Sequence, residues 1–322
     1  MTRIANMTTL HNSQNLDVQK SVLNNGLRIV TSEIPHARST SIGLFVGVGS
    51  RYESEDQAGI SHFIEHMVFK GTRNRPTPGE ISGLIEGVGG ILNASTEQEL
   101  TLYWCKIPKF HIDDSLDLLF DILREPLFDS KAVKNERMVV NEELNMINDD
   151  PDYRVDALID EMLWPNHQLG REIAGNKESV ASITDNMMLQ YMHENYTPNN
   201  MVVSLAGTVS HEDIVQQVDS LCKNWAPKPP LIPNPVTKET YGSEIRVEFR
   251  KTEQTHISMA VPGLSIQHPQ KYALHLLSVI LGEGMSSRLF IELRETRGLA
   301  YDIHSGIIEF MDSGAFVVSA GV

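Results

Sequence analysis

The run APKPPLIPNPV at 226–236 concentrates proline in a way that no helix and no central strand can accommodate, because each proline fixes φ and removes a backbone donor. A chain carrying such a run must fold as something before it and something after it, joined by an extended linker. A length of 322 residues agrees, being more than one ordinary core organises. The expected organisation is an N-terminal tail over 1–20, a first domain over 21–225, the linker over 226–243 and a second domain over 244–322.

Within the first domain, 27–32 and 40–48 read as β-rich runs separated by the turn-forming Pro35 region. Thr77-Pro78-Gly79-Glu80 has the form of a helix start, with a capping threonine, proline in the first turn and an acid three residues on; Gly89-Gly90 should end it. The segment 91–107 reads as a β-hairpin, and 113–123, 130–147 and 153–163 carry apolar residues at helical spacing, with Asp149-Asp150-Pro151 as a stop. A buried strand at 201–205 and a helix from Ser210 to about Asn224 complete the domain. Past the linker, 244–250 and 256–261 alternate like strands, 270–281 and 287–296 like helices, and 314–320 like a strand with no closing element after it. The expected fold class is α+β, in two similar lobes, each a mostly antiparallel sheet with helices packed on one face, the second lobe incomplete.

Several classes of function are excluded or disfavoured. A formal charge of -15 is the wrong sign for a nucleic-acid partner. No apolar stretch reaches the length needed to cross a bilayer, and the first twenty residues show neither an export signal nor a transit peptide, so a cytoplasmic location is expected. The two cysteines, Cys105 and Cys222, lack the paired spacing of a structural metal site and read as buried free thiols in a reducing compartment.

The chemistry is concentrated in His62-Phe63-Ile64-Glu65-His66. On a helix, the two imidazoles stand one turn apart on one face, within reach of a single ion. Glu65 stands about a hundred degrees around the helix from His66, so it can approach a water at the metal without occupying the metal itself. A surface helix that merely carries two histidines is the plain alternative, and a hydrolytic zinc site would need a third protein ligand. The helix at 130–147 offers one: Glu136, Val140, Glu143 and Ile147 fall on a stripe that would otherwise be core, yet two of the four are acids. Glu142 points elsewhere, to solvent, and a surface ion pair is the competing reading of Glu136.

The string from Gly59 to Thr72, GISHFIEHMVFKGT, resembles the pitrilysin, or insulinase-like, family of inverted-motif zinc peptidases, which includes the mitochondrial processing peptidases. The likeness continues through Asn93-Ala94-Ser95-Thr96 and Tyr196-Thr197-Pro198-Asn199-Asn200-Met201 to Arg288-Leu289-Phe290 and Arg294-Glu295-Thr296-Arg297-Gly298-Leu299-Ala300-Tyr301. It implies His62, His66 and Glu143 as ligands of one zinc ion per chain, Glu65 as general base and Glu136 as an accessory glutamate. It also implies that Asn93, Ala94, Ser95 and Thr96 form an exposed strand edge where substrate backbone adds as a further strand. By the same likeness, Arg294 and Tyr301 reach the scissile carbonyl, and the chain works as a homodimer or beside a homologous subunit. Family members usually continue for about another half-domain after the Arg/Tyr motif, so the chain is expected to be either a fragment or a protein with a reduced second lobe.

The resemblance thus implies a zinc metalloendopeptidase acting on peptides or unfolded precursor polypeptides, with neither nucleic acid nor membrane as partner. A non-catalytic peptide-binding or scaffold subunit of the same fold is the rival reading. Processing and degradation would use the same groups, and the motif does not choose between them.

Overall fold

The computed structural model describes residues 5–11, 17–237 and 244–322. Their contacts group into two units: one of residues 1–141 and 173–232, the other of 142–172 and 233–322.

The first unit is built on a seven-stranded sheet. In chain order its elements are β1 (Ala5–His11), β2 (Asp17–Val22), β3 (Arg28–Glu33), β4 (Ser39–Val46), α1 (Ile60–Met67), α2 (Pro78–Glu86), β5 (Ile91–Thr96), β6 (Thr101–Pro108), α3 (Ile112–Arg124) and α4 (Ser130–Asp149). The helix α4 continues without a break into the second unit, which also takes α5 (Pro151–Leu163). The chain then returns to the first unit for α6 (Lys177–Ser182), α7 (Asp185–Asn195), β7 (Met201–Gly207) and α8 (His211–Leu221).

The strand order is β1-β2-β3-β7-β4-β6-β5, antiparallel throughout except where β3 and β7 run side by side in the same direction. Strict alternation explains why β7 lies inside the sheet: Met201, Val203 and Leu205 are buried while Val202, Ser204 and Ala206 are half-buried. Leu44 of β4 pairs with Val203 on one side and with Tyr103 of β6 on the other, and all three are fully buried. The helix α3 lies against β4 and β6, and α8 lies against α3 and β3. β5 is an outer strand at the end opposite β1, paired among the described residues with β6 alone.

The second unit carries β8 (His256–Pro262), α9 (Lys271–Gly282), a π-helical turn over Phe290–Thr296, β9 (Asp302–Glu309) and β10 (Gly314–Gly321). Its antiparallel sheet has the order β8-β10-β9. A small core forms where Trp164, at the end of α5, meets Leu169, Phe310 and Ala315. Both units are therefore α+β, as expected. No helix among the described residues is long and apolar enough to cross a membrane.

Local signals translate directly. Thr77 and Glu80 form the reciprocal capping box read from the sequence. Asp149-Asp150-Pro151 both stops α4 and starts α5, since the Asp150 side chain accepts from the backbone N–H groups of Asp152 and Tyr153. Both cysteines are buried, and burial pushes both thiols up to about 12, so neither is a thiolate ligand.

Other expectations need correction. Residues 5–11 and 17–20, assigned to a tail, are strand residues, because β2 pairs with β3 and extends the sheet to β1. Segment 142–172, placed in the first domain, groups with the later residues because α5 lies against β8. Residues 226–237 of the linker hold no helix or strand; 238–243 lie outside the described residues. The alternating run 244–250 is not a strand, since it has no ladder partner among the described residues: Arg246 and Glu248 pair instead with Glu161 and Arg154 of α5, leaving Ile245, Val247 and Phe249 exposed. The expected helix at 287–296 is largely π-helical, and α8 ends at Leu221 rather than near Asn224.

Candidate metal centre

The motif helix α1 is short, and its position is fixed at its first turn. Gly59 precedes it with φ +90°, a conformation that glycine adopts without strain. No side chain of α1's own N-cap satisfies the first amides; Glu53 does so from the preceding loop. Its two carboxylate oxygens accept from Gly59 N–H at 2.7 Å and Ser61 N–H at 2.8 Å, and the residue is only 2% exposed. A buried carboxylate there also meets the positive end of the helix dipole. The Ser61 hydroxyl lies 3.0 Å from the Tyr191 hydroxyl of α7.

Two backbone turns meet at this point. A Cβ on Gly59 would stand 2.4 Å from the Ala174 carbonyl oxygen, and one on Gly175, whose φ is +77°, would stand 2.3 Å from that of Ala58. Neither position has room for a side chain.

Apolar side chains Ile60, Phe63, Ile64 and Met67 bury one face of α1, leaving His62, Glu65 and His66 half-buried on the other. The two imidazoles face each other with Nε2 to Nε2 at 3.2 Å. His66 Nδ1 lies 2.9 Å from Oε1 of Glu136, whose other oxygen lies 2.8 Å from Lys70 Nζ. A proton on Nδ1 directed to that carboxylate would leave the His66 Nε2 lone pair for a metal. Burial, with the neighbouring His66 adding to it, pushes His62 down to about 4, so this ring is a neutral imidazole at ordinary pH.

On α4, Val133, Glu136 and Val140 are buried and Glu143 half-buried on one stripe, while Glu142 is exposed. This brings Glu143 to the histidines: ligand-type atoms of His62, His66 and Glu143 all lie within 4.8 Å of one another. Bonds of about 2.0–2.2 Å from nitrogen and oxygen to zinc bring ligand atoms to separations somewhat shorter than this, so a modest closure suffices. Two neutral nitrogens and one carboxylate, with a carboxylate orienting one ring from behind, make a donor set that suits zinc with a position left open. The residues present fit the metal.

Glu65 takes a separate partner. The hydroxyl of Thr96, the last residue of β5, donates to its Oε2 at 2.6 Å. Asn93, Ala94, Ser95 and Thr96 pair with β6 on one side and form the outer edge of the sheet on the other. Behind this edge, Tyr103 stands opposite Ala94 and its hydroxyl meets that of Tyr196 at 3.0 Å; burial raises both phenols well above their usual range, so they stay neutral. Arg294 and Tyr301 belong to the second unit, where the guanidinium lies 5.4 Å from the tyrosine ring centre and 4.7 Å from that of Phe290. Glu53, Lys70 and the Thr96 hydroxyl escaped the sequence reading as site residues acting through side chains. Their partners lie on other elements or across a loop, and no local pattern marks them.

Comparison with known proteins covers nearly the whole chain. A family model described as insulinase (peptidase family M16) matches residues 28–177, and one described as the peptidase M16 inactive domain matches 182–322. An uncharacterized zinc protease of Bacillus subtilis, YmxG, is 36% identical over 304 residues, covering 94% of this chain and 73% of that protein. Another, SCO5738 of Streptomyces coelicolor, is 38% identical over 311 residues, covering 94% and 67%. Among solved structures, a protease from Helicobacter pylori superposes with a TM-score of 0.88 at 25% identity, covering 95% of this chain and 75% of that one. A peptidase M16 inactive domain from Pseudomonas fluorescens gives a TM-score of 0.85 at 20% identity over 95% and 74%, which speaks for the fold alone.

Proposed function

Because the chain belongs to peptidase family M16, we propose that it is a zinc-dependent metalloendopeptidase that hydrolyses peptide bonds in peptides or unfolded polypeptides. The observation that carries this reading is the convergence of His62, His66 and Glu143 within 4.8 Å. His62, His66 and Glu143 would hold zinc, which when bound would supply a Lewis acid and lower the pKa of a water. Glu65 takes the proton of the attacking water at its carboxylate and passes it toward the leaving amine. Backbone groups on the open edge of β5, at Asn93, Ala94, Ser95 and Thr96, receive the substrate as an added strand. Arg294 and Tyr301 are assigned to the developing oxyanion, a role their cation and phenol chemistry suits. Family likeness supports a paired assembly, with a second copy or a homologous subunit.

The test is zinc quantitation together with mass-spectrometric digestion of a peptide mixture, using the wild-type chain and Glu65→Gln side by side. About one zinc per chain, cleavage by wild type and none by the zinc-loaded variant are expected. A chain without zinc and without cleavage would instead be the scaffold subunit of this fold. Cleavage retained by Glu65→Gln, with contaminating proteases excluded, would remove the base assignment.

A further inference from the structure

A glutamate that moves a proton must be held in one orientation, and Glu65 lies off the buried face of α1 on a side chain with several rotors to fix. The structure supplies a holder. The Thr96 hydroxyl meets Glu65 Oε2 at 2.6 Å, a length typical of a charge-assisted bond to a carboxylate. Threonine is branched at Cβ and stiff about χ1, so its hydroxyl direction is set by its backbone.

That backbone is fixed on both sides. Thr96 pairs with Thr101 of β6, and the turn that follows closes with Glu97 N–H donating to Leu100 O at 2.9 Å. The turn is tied to the strap before α1: Ser50 N–H donates to Glu97 O at 3.2 Å, Arg51 N–H to Gln98 O at 2.8 Å, and Thr101 Oγ1 to Val48 O at 2.9 Å. An Arg51–Glu99 ion pair reinforces it, with Arg51 buried. Strand alternation puts Ala94 on the same face as Thr96, the face on which Ala94's cross-strand neighbour Tyr103 is buried.

We infer that Thr96 is a positioning residue: its hydroxyl sets the orientation of the Glu65 carboxylate, and it ties that orientation to the register of the β5 edge. This rests on the peptidase reading above. A peptide strand seated on β5 is then aligned against the same residue that aims the base.

The test uses the full chain as Thr96→Val, which keeps the shape and loses the hydroxyl, and Thr96→Ser, which keeps the hydroxyl. In Thr96→Val, kcat falls by about tenfold to a hundredfold, the range for one charge-assisted bond to a proton-transfer group, while Thr96→Ser recovers most of it. KM and zinc affinity, the latter by chelator competition, stay within about threefold of wild type, as for an interaction that matters in the transition state. Crystal structures of metal-free wild type and Thr96→Val supply a readout independent of turnover: Glu65 is found at one position in the first and displaced or spread in the second. Unchanged kcat in Thr96→Val, a matching loss of zinc affinity, or Glu65 unmoved in the variant each overturns the inference. Should wild type hold zinc and cleave nothing, the peptidase reading fails, and the position of Glu65 in the two crystals still decides the role of Thr96.

Discussion

Glu136 Oε1 lies 2.9 Å from His66 Nδ1 while its Oε2 lies 2.8 Å from Lys70 Nζ, so a buried carboxylate is held between the His66 imidazole and a cation. Groups in this relation orient a metal-binding ring and raise its basicity. Glu136→Ala should therefore lower zinc affinity by about 10- to 100-fold without touching a ligand. Competition against a chromophoric chelator measures this, and an unaltered affinity would show that Glu136 does no more than balance Lys70.

Glu143 is assigned a more direct part. Glu143→Ala should leave zinc below stoichiometry after gentle purification while the far-ultraviolet circular dichroism of the chain stays as in wild type. Full zinc content in the variant would mean that a different side chain completes the donor set.

Glu53 holds two amides at the start of α1 from a position almost sealed from water. Removing it leaves buried donors without their acceptor, so Glu53→Ala should cost about 1–3 kcal/mol in urea unfolding. Because the first turn carries His62, the same variant should also bind zinc more weakly. A variant as stable as wild type would show that water replaces the carboxylate.

In the second unit, Asp160 is pushed up to about 7, first by desolvation and then by the nearby charges of Asp156 and Glu172. Its folded value lies above its unfolded one, so the unfolded chain releases this proton at lower pH than the folded chain. The resulting loss of stability is absent well below pH 4, grows as pH rises above 3.8, the ordinary value of the carboxyl, and is complete once pH passes about 7. Asp160→Asn should therefore raise the melting temperature by about 2–4 °C at pH 8, and by less at pH 5. Equal shifts at both pH values would assign the gain to something other than ionisation.

The sequence reading was strongest where function depends on near neighbours. The i, i+4 spacing of His62 and His66 and the acid-bearing stripe on α4 are periodicities of single helices, and the folded chain displays both. The capping box at Thr77 and the stop at Asp150 are equally local. Glu53, Lys70 and the Thr96 hydroxyl were missed because each acts on a group from outside the element that carries it, through a fold that no window of sequence contains. The run at 244–250 misled for the same reason: alternation states that a segment is able to be a strand, whereas a ladder requires a partner to receive its amides. The grouping of 142–172 with the later part of the chain depends likewise on what α5 packs against.

Gly59 and Gly175 interlock like the two halves of a dovetail joint, the carbonyl of the residue before each, Ala58 and Ala174, filling the place where the other's first side-chain carbon would go. The stance of His62 and His66 thereby depends on a residue that offers no charge and no hydrogen-bonding side chain. A single methyl added at position 175 would stand 2.3 Å from the Ala58 carbonyl oxygen, so the backbone leading into the motif helix or the turn at Gly175 must give way. Searches for inactivating changes confined to polar residues would pass over this joint, although it sets the spacing on which the whole centre turns.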